Sequence, residues 1–217
     1  MTVTDLTHPI TPDMPVYPGT EPPLIQPANT VERNGFAETL IRMYSHTGTH
    51  IDAPAHMLAG APALDQLGID RFVGRACAID VSALGDARIG RPSLEAHAQL
   101  VSGCEFVLLY TGWSRYWGDA RYFGEYPVLS ADAAQWLVER GLKGVGFDVI
   151  SPDPVGATVF DNHLAFFRAG VVVIENLANL GPLVGRTFTF SCLPLAFENG
   201  DGSPVRAVAM TDGASAP

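Results

Sequence analysis

Three of the chain's six histidines and one aspartate fall within eleven residues, in the run Ser45-His46-Thr47-Gly48-Thr49-His50-Ile51-Asp52-Ala53-Pro54-Ala55-His56. Imidazole nitrogens beside a carboxylate suit borderline divalent cations such as Zn²⁺, Mn²⁺ or Fe²⁺, whereas Ca²⁺ and Mg²⁺ prefer all-oxygen shells. On a helix, at about 100° per residue, Asp52 would sit about 200° away from His50, and Thr-Gly-Thr is poor helix. On a strand, alternate residues share a face. His46, Gly48, His50 and Asp52 then all point the same way, with Gly48 leaving open space between the side chains. Pro54 ends that strand, and the chain can turn so that His56 looks back at the same spot. Without a cation, such a cluster would bury several polar groups at a cost of about 1–3 kcal/mol each. The spacing predicts a metal site.

A second group lies far along the chain. Val171-Val172-Val173-Ile174-Glu175 is an apolar run that closes on a carboxylate, which must be capped by local donors or held by a cation. His163 lies one short helix earlier. Taken singly, His163 also reads as a helix-surface residue and Glu175 as a strand-end charge. Cys77, Cys104 and Cys192 show no CxxC or Cys–His spacing and read as buried structural thiols. Asp148 and Asp153 flank Ser151-Pro152 and read as turn caps, outside the site. His8 and His97 lack nearby ligand partners and are assigned no chemistry. Tyr17, Trp113, Trp117 and Phe36 are aromatic candidates for a pocket wall, with core packing as the default for each.

These residues must be carried by strands more than by helices. Besides Ala37–Ile51, strands are expected at 71–81, 106–111, 144–150, 171–175, 186–195 and 205–210. Several are nearly continuous apolar runs, as in strands covered on both faces. Ser130 suits the N-cap of a helix from Ala131 to Arg140, with Gly141 past its end. Two further helices are expected, from Ser93 to about Leu100 and from about Asp161 to Arg168. The first 35 residues carry seven prolines and read as an ordered wrap, neither regular helix nor central strand. Strands outnumber helices in mixed order, which predicts an α+β (mixed α/β) fold with β-rich sheets. There is no GxGxxG and no P-loop.

Together the two groups resemble the metal-dependent cyclase family, which includes bacterial kynurenine formamidase (arylformamidase) and isatin hydrolase. That family's pattern, His-x-Gly-Thr-His-x-Asp-x-Pro-x-His, is matched by His46 through His56 without a break. The resemblance extends from Asp5-Leu6-Thr7-His8-Pro9-Ile10 through Tyr110-Thr111-Gly112-Trp113 and Glu175-Asn176-Leu177 to Ser203-Pro204-Val205-Arg206-Ala207. It implies a swivelling β/β/α fold and assembly as a homodimer or homotetramer. It also implies two divalent ions per subunit, zinc or manganese. His46, His50 and Asp52 would hold the first; Asp52 would reach the second, His163 would complete it, and Glu175 would contact both. His56 would be the catalytic acid/base. Where the formamidases carry a Trp that contacts substrate, this chain has Tyr17, so Tyr17 and Trp113 are the substrate-binding candidates.

The function expected is therefore a metal-dependent hydrolase that cleaves the C–N bond of an aryl formamide, cyclic amide or imide with activated water. Two alternatives stay open at this point. A non-haem Fe(II) oxygenase could use His50, Asp52 and His163, leaving His46 and Glu175 idle. A non-catalytic metal-stabilised module would need a closed, fully protein-ligated ion. Composition agrees with one soluble domain spanning residues 1–217: 47% hydrophobic residues promise a sizeable core, and only 17% are charged. With 13 Lys+Arg against 23 Asp+Glu and a net charge of −10, nucleic acid and anionic membrane are poor partners; a small molecule is expected. The N-terminal segment lacks a signal-peptide pattern and no run could span a bilayer, so the expected location is cytoplasmic.

Overall fold

The apolar runs build one large sheet. Among residues 1–84 and 88–211, which this computed structural model describes, the strands are β1 (Thr2–Asp5), β2 (Leu24–Asn29), β3 (Glu38–Arg42), β4 (His50–Asp52), β5 (Val73–Asp80), β6 (Phe106–Tyr110), β7 (Gly144–Phe147), β8 (Val172–Glu175), β9 (Thr187–Ser191), β10 (Gly202–Pro204) and β11 (Val208–Thr211). Nine of them form a sheet in the order β1-β11-β9-β5-β6-β7-β8-β4-β10, while β2 and β3 pair as a separate ribbon. The central strands β5 to β8 run parallel, and their outer neighbours are antiparallel. The helices are short: α1 (Val31–Asn34), α2 (Arg91–Glu95), α3 (Ala98–Val101), α4 (Ala131–Val138) and α5 (Asp161–Arg168). The α+β expectation, rich in strand and poor in helix, matches this architecture.

Strand alternation sorts side chains to the two faces of the sheet. Cys77, Ile79, Val107, Leu109 and Val173 face one side, packed with Trp136 and Leu137 of α4 and Phe166 and Phe167 of α5. Ala76, Ala78, Phe106, Leu108 and Val172 face the other, where they meet Leu6, Phe190 and Ala209 from other parts of the same sheet. The sheet therefore curls. Thr7, just past β1, bridges Leu177, just past β8, so segments far apart in strand order enclose this second core.

Four local expectations are corrected. The strand foreseen over Ala37–Ile51 is two short strands, β3 and β4, with residues 43–49 as a loop between them. Gly48 takes a left-handed φ of +67°, which breaks the period of two. Its carbonyl accepts from His50 Nδ1 and Asn176 Nδ2, and the Thr49 hydroxyl donates to the Asn176 carbonyl. The loop is thus fastened to the chain beyond β8 instead of pairing in the sheet. The helix foreseen from Ser93 breaks at His97 into α2 and α3. Strands β1 and β2 and the single-turn helix α1 lie inside the proline-rich wrap; Pro27 is tolerated because the ribbon has only two strands and bulges there. The remaining foreseen strands are present, each shorter than its apolar run. Ser130 does precede α4, but its hydroxyl bonds the Asp132 carboxylate and the Ile89 carbonyl instead of capping the helix.

Candidate metal centre

Strand β4 lies between β8 and β10, and this pairing assembles the site. The register sets His50 opposite Glu175 and Asp52 opposite Gly202. Opposed residues share a face, so His50, Asp52 and Glu175 rise together. His50 Nε2 is 3.2 Å from Asp52 Oδ1 and 3.3 Å from Glu175 Oε2. His163, on α5, brings its Nε2 to 3.1 Å from Glu175 Oε1 and 3.8 Å from Asp52 Oδ2. His46 arrives from the loop, with Nδ1 2.7 Å from Asp52 Oδ1 and Nε2 3.0 Å from Asp201 Oδ2. His56 follows Pro54 on a 3₁₀ turn, and its ring centre lies 3.9 Å from that of His46. All six residues come together; His46 does so by a loop and not by the strand periodicity expected of it.

The donor chemistry fits divalent cations. His50 donates Nδ1–H to the Gly48 carbonyl at 2.8 Å, and His163 donates Nδ1–H to Asp153 at 2.7 Å. Each outer bond leaves Nε2 facing the carboxylates, which is how partners behind an imidazole orient it for a metal. Donor atoms of His46, His50 and Asp52 lie within 4.8 Å of one another, as do those of Asp52, His163 and Glu175. Asp52 belongs to both groups. A third group of like spacing joins His46, His56 and Asp201. Glycine is needed beside the cluster, because a Cβ on Gly202 would lie 2.4 Å from His46 Cε1.

In the metal-free chain, protons supply the compensating positive charge. Burial opposes the charged form of His50, yet Asp52 and Glu175 raise its pKa to about 10. Against the same burial, bonds to Asp153, Asp52 and Glu175 hold His163 well above its ordinary value, and Asp52 raises His46. Burial would raise Asp52, but the neighbouring His50 and His46 charges hold it well below the usual carboxylate range. His50 is therefore protonated at pH 7 and must lose a proton to become a ligand, and the upward shifts of His163 and His46 act in the same direction. Calorimetric titration of the metal-free protein with Zn²⁺ or Mn²⁺, in buffers of different ionisation enthalpy, should show net release of protons, at least the one held by His50. Affinity should rise from pH 6 to pH 8. Binding without proton release would contradict this electrostatic picture.

The cluster floors an open cavity of about 360 Å³ whose apolar wall includes Tyr17, Met57, Ile150 and Phe160. Tyr17 stands where the sequence placed it. Trp113 does not. Gly112 takes a φ of +71°, and Asp148 accepts from the Thr111 and Gly112 N–H groups and the Thr111 hydroxyl. That clamp turns Trp113 into the core, where its indole N–H donates to the Tyr122 carbonyl and its ring packs against Tyr116 and Tyr126. Trp117 stacks on His8 at 4.0 Å, and Phe36 is exposed beside the ribbon. Neither aspartate simply caps the Ser151-Pro152 turn that the two flank: Asp148 holds the distant Thr111-Gly112 turn, and Asp153 is the partner that orients His163. Asp201 carried no signal of its own in the sequence, since only the pairing of β10 with β4 brings it to His46.

Comparison with known proteins agrees with this architecture. The model of the family described as "Putative cyclase" matches residues 4–154. Kynurenine formamidase of Bacillus mycoides (strain KBAB4) is 36% identical over 206 residues, covering 94% of this chain and 95% of that protein. Among solved structures, isatin hydrolase A from Ralstonia solanacearum superposes with a TM-score of 0.86 at 28% identity, over 96% of this chain and 91% of its own. A potential metal-dependent hydrolase with cyclase activity gives a TM-score of 0.79 at 30% identity, over 96% of each chain.

Proposed function

This chain belongs to the cyclase family, and on that premise we propose that it is a metal-dependent hydrolase of non-peptide C–N bonds, acting on an aryl formamide, cyclic amide or imide. The observation that carries the reading is the pair of donor groups sharing Asp52 on the floor of an open, partly aromatic cavity. Six converging residues exceed what a single two-His-one-carboxylate triad uses, and a structural ion would not need an open cavity beside it. His46, His50 and Asp52 would hold one divalent ion, and Asp52, His163 and Glu175 a second, zinc or manganese. Bound there, a divalent cation acidifies water and polarises a carbonyl oxygen.

The chain's own residues do the rest. Tyr17, Phe160, Met57 and Ile150 line the cavity, a partly aromatic, apolar wall against which an aromatic acyl or amine group would pack. His56 lines the cavity with its imidazole next to the cluster. Burial, together with the charges of His46 and His163, lowers its pKa despite Asp52 and Glu175. A neutral imidazole in that place accepts a proton from water and passes it to the departing nitrogen. The partner of the assembly is a second copy of the chain: the β2–β3 ribbon exposes Leu40 and Ile41, and a lone two-stranded ribbon is marginal in water. Three buried free thiols suit a reducing, cytoplasmic setting, and none of the described helices is long and apolar enough to cross a membrane.

The test is a screen of metal-loaded protein against para-substituted formanilides, isatin-like lactams and cyclic imides. At least one class should turn over, with activity lost to a chelator and restored by Zn²⁺ or Mn²⁺. Turnover that survives complete metal removal would overturn the reading.

A further inference from the structure

Asp201 is placed by the backbone, not by its side chain. Its carbonyl accepts the Ala53 N–H at 2.9 Å, next to the Gly202–Asp52 pair of β10 and β4. The carboxylate, about half exposed at the cavity mouth, is therefore free of any structural duty in the strand pair. One oxygen, Oδ2, stands 3.0 Å from His46 Nε2 and 3.7 Å from His56 Nδ1. The two rings it faces are themselves 3.9 Å apart, so one carboxylate oxygen bridges the edges of both. The 3.7 Å separation exceeds a hydrogen bond, yet such contacts are commonly loose before substrate is present.

We infer that Asp201 is a positioning residue for proton transfer: its carboxylate receives His56 Nδ1–H and so fixes the tautomer that presents Nε2 to the departing nitrogen. This rests on the hydrolase reading above. In the step itself, an oxygen–carbon bond forms from water to the amide carbon and the carbon–nitrogen bond breaks. The bonding pair leaves on nitrogen, and one proton of the water travels through His56 Nε2 to that nitrogen. A carboxylate on the far side of the ring stabilises the imidazolium while it holds the proton and prevents the ring from turning. No such help is needed when the leaving nitrogen already carries its electron pair easily.

Leaving-group dependence therefore separates this role from a merely structural one. Wild-type protein and Asp201→Asn are compared on formanilides running from 4-nitro to 4-methoxy, with kcat, KM and bound metal measured for each. Asp201→Asn should lose on the order of 30- to 100-fold in kcat on the 4-methoxy compound, at or just below the lower end of what general acid–base catalysis supplies, as suits a residue that acts through His56. On the 4-nitro compound the loss should stay below about fivefold, with KM and metal content unchanged. Asp201→Ala should repeat the split if the asparagine variant does not fold. Equal loss across the series, or loss of bound metal, would overturn the inference while leaving the hydrolase reading intact. Failure of the wild-type protein on the whole series and on lactams and imides would instead overturn the hydrolase reading itself.

Discussion

Asp52→Asn should abolish stable metal binding and lower kcat/KM by at least about 10³-fold on whichever amide the wild-type protein hydrolyses. The size of the effect follows from position. Asp52 is the only residue common to the two main donor groups, and its carboxylate lies within reach of His46, His50 and His163. It is almost fully buried, so no water replaces the lost charge. Asparagine keeps the shape, leaving β4 paired with β8 and β10, but removes the anion both groups share. The metal-free variant should also weaken the proton affinity of His50, whose raised pKa depends on Asp52. Metal analysis after gel filtration and steady-state kinetics provide the check. A variant that retains its metal and acts within tenfold of wild type would remove Asp52 from the centre of the site.

His56→Ala should show the opposite division, with metal retained at wild-type stoichiometry and kcat reduced about 10²- to 10⁴-fold. His56 is the one motif histidine outside both groups that contain Asp52. It sits on the 3₁₀ turn that Pro54 starts, and its side chain is partly open to the cavity where the three main ligand histidines are more enclosed or pinned by carboxylates. Removing it leaves the bonds of His50 and His163 untouched, so the fold and the cation sites should persist. The one competing assignment is written in the same geometry: His46, His56 and Asp201 also have ligand spacing. Loss of metal from His56→Ala would favour that assignment and end the proton-transfer role.

The local pattern carried much of the chemistry. His50 and Asp52 share a face because they are two residues apart on a strand, which the sequence states directly. Glu175 was legible as a charge that closes an apolar strand and needs compensation, and β8 supplies that strand. Helix α5 lies where the pattern placed it, with His163 on its buried side. His46 reaches the cluster by a route other than strand alternation, because a left-handed glycine and the side chain of Asn176, more than a hundred residues away, shape its loop.

By itself, then, the sequence determined the donor types, the β-rich architecture and the family, since these depend on residue identity and spacing along one segment. Tertiary structure alone decided which distant groups face them. Asp153 turned from a loop cap into the orienting partner of His163, Trp113 turned from pocket wall into core, and Asp201 entered from a strand of three residues. The physical reason is common to all three. Hydrogen-bond reach is about 3 Å in space, and only strand pairing and helix packing convert separation along the chain into distances of that order. The few histidines from which the chemistry was read name the reaction class; the sheet register selects the residues that can carry it out.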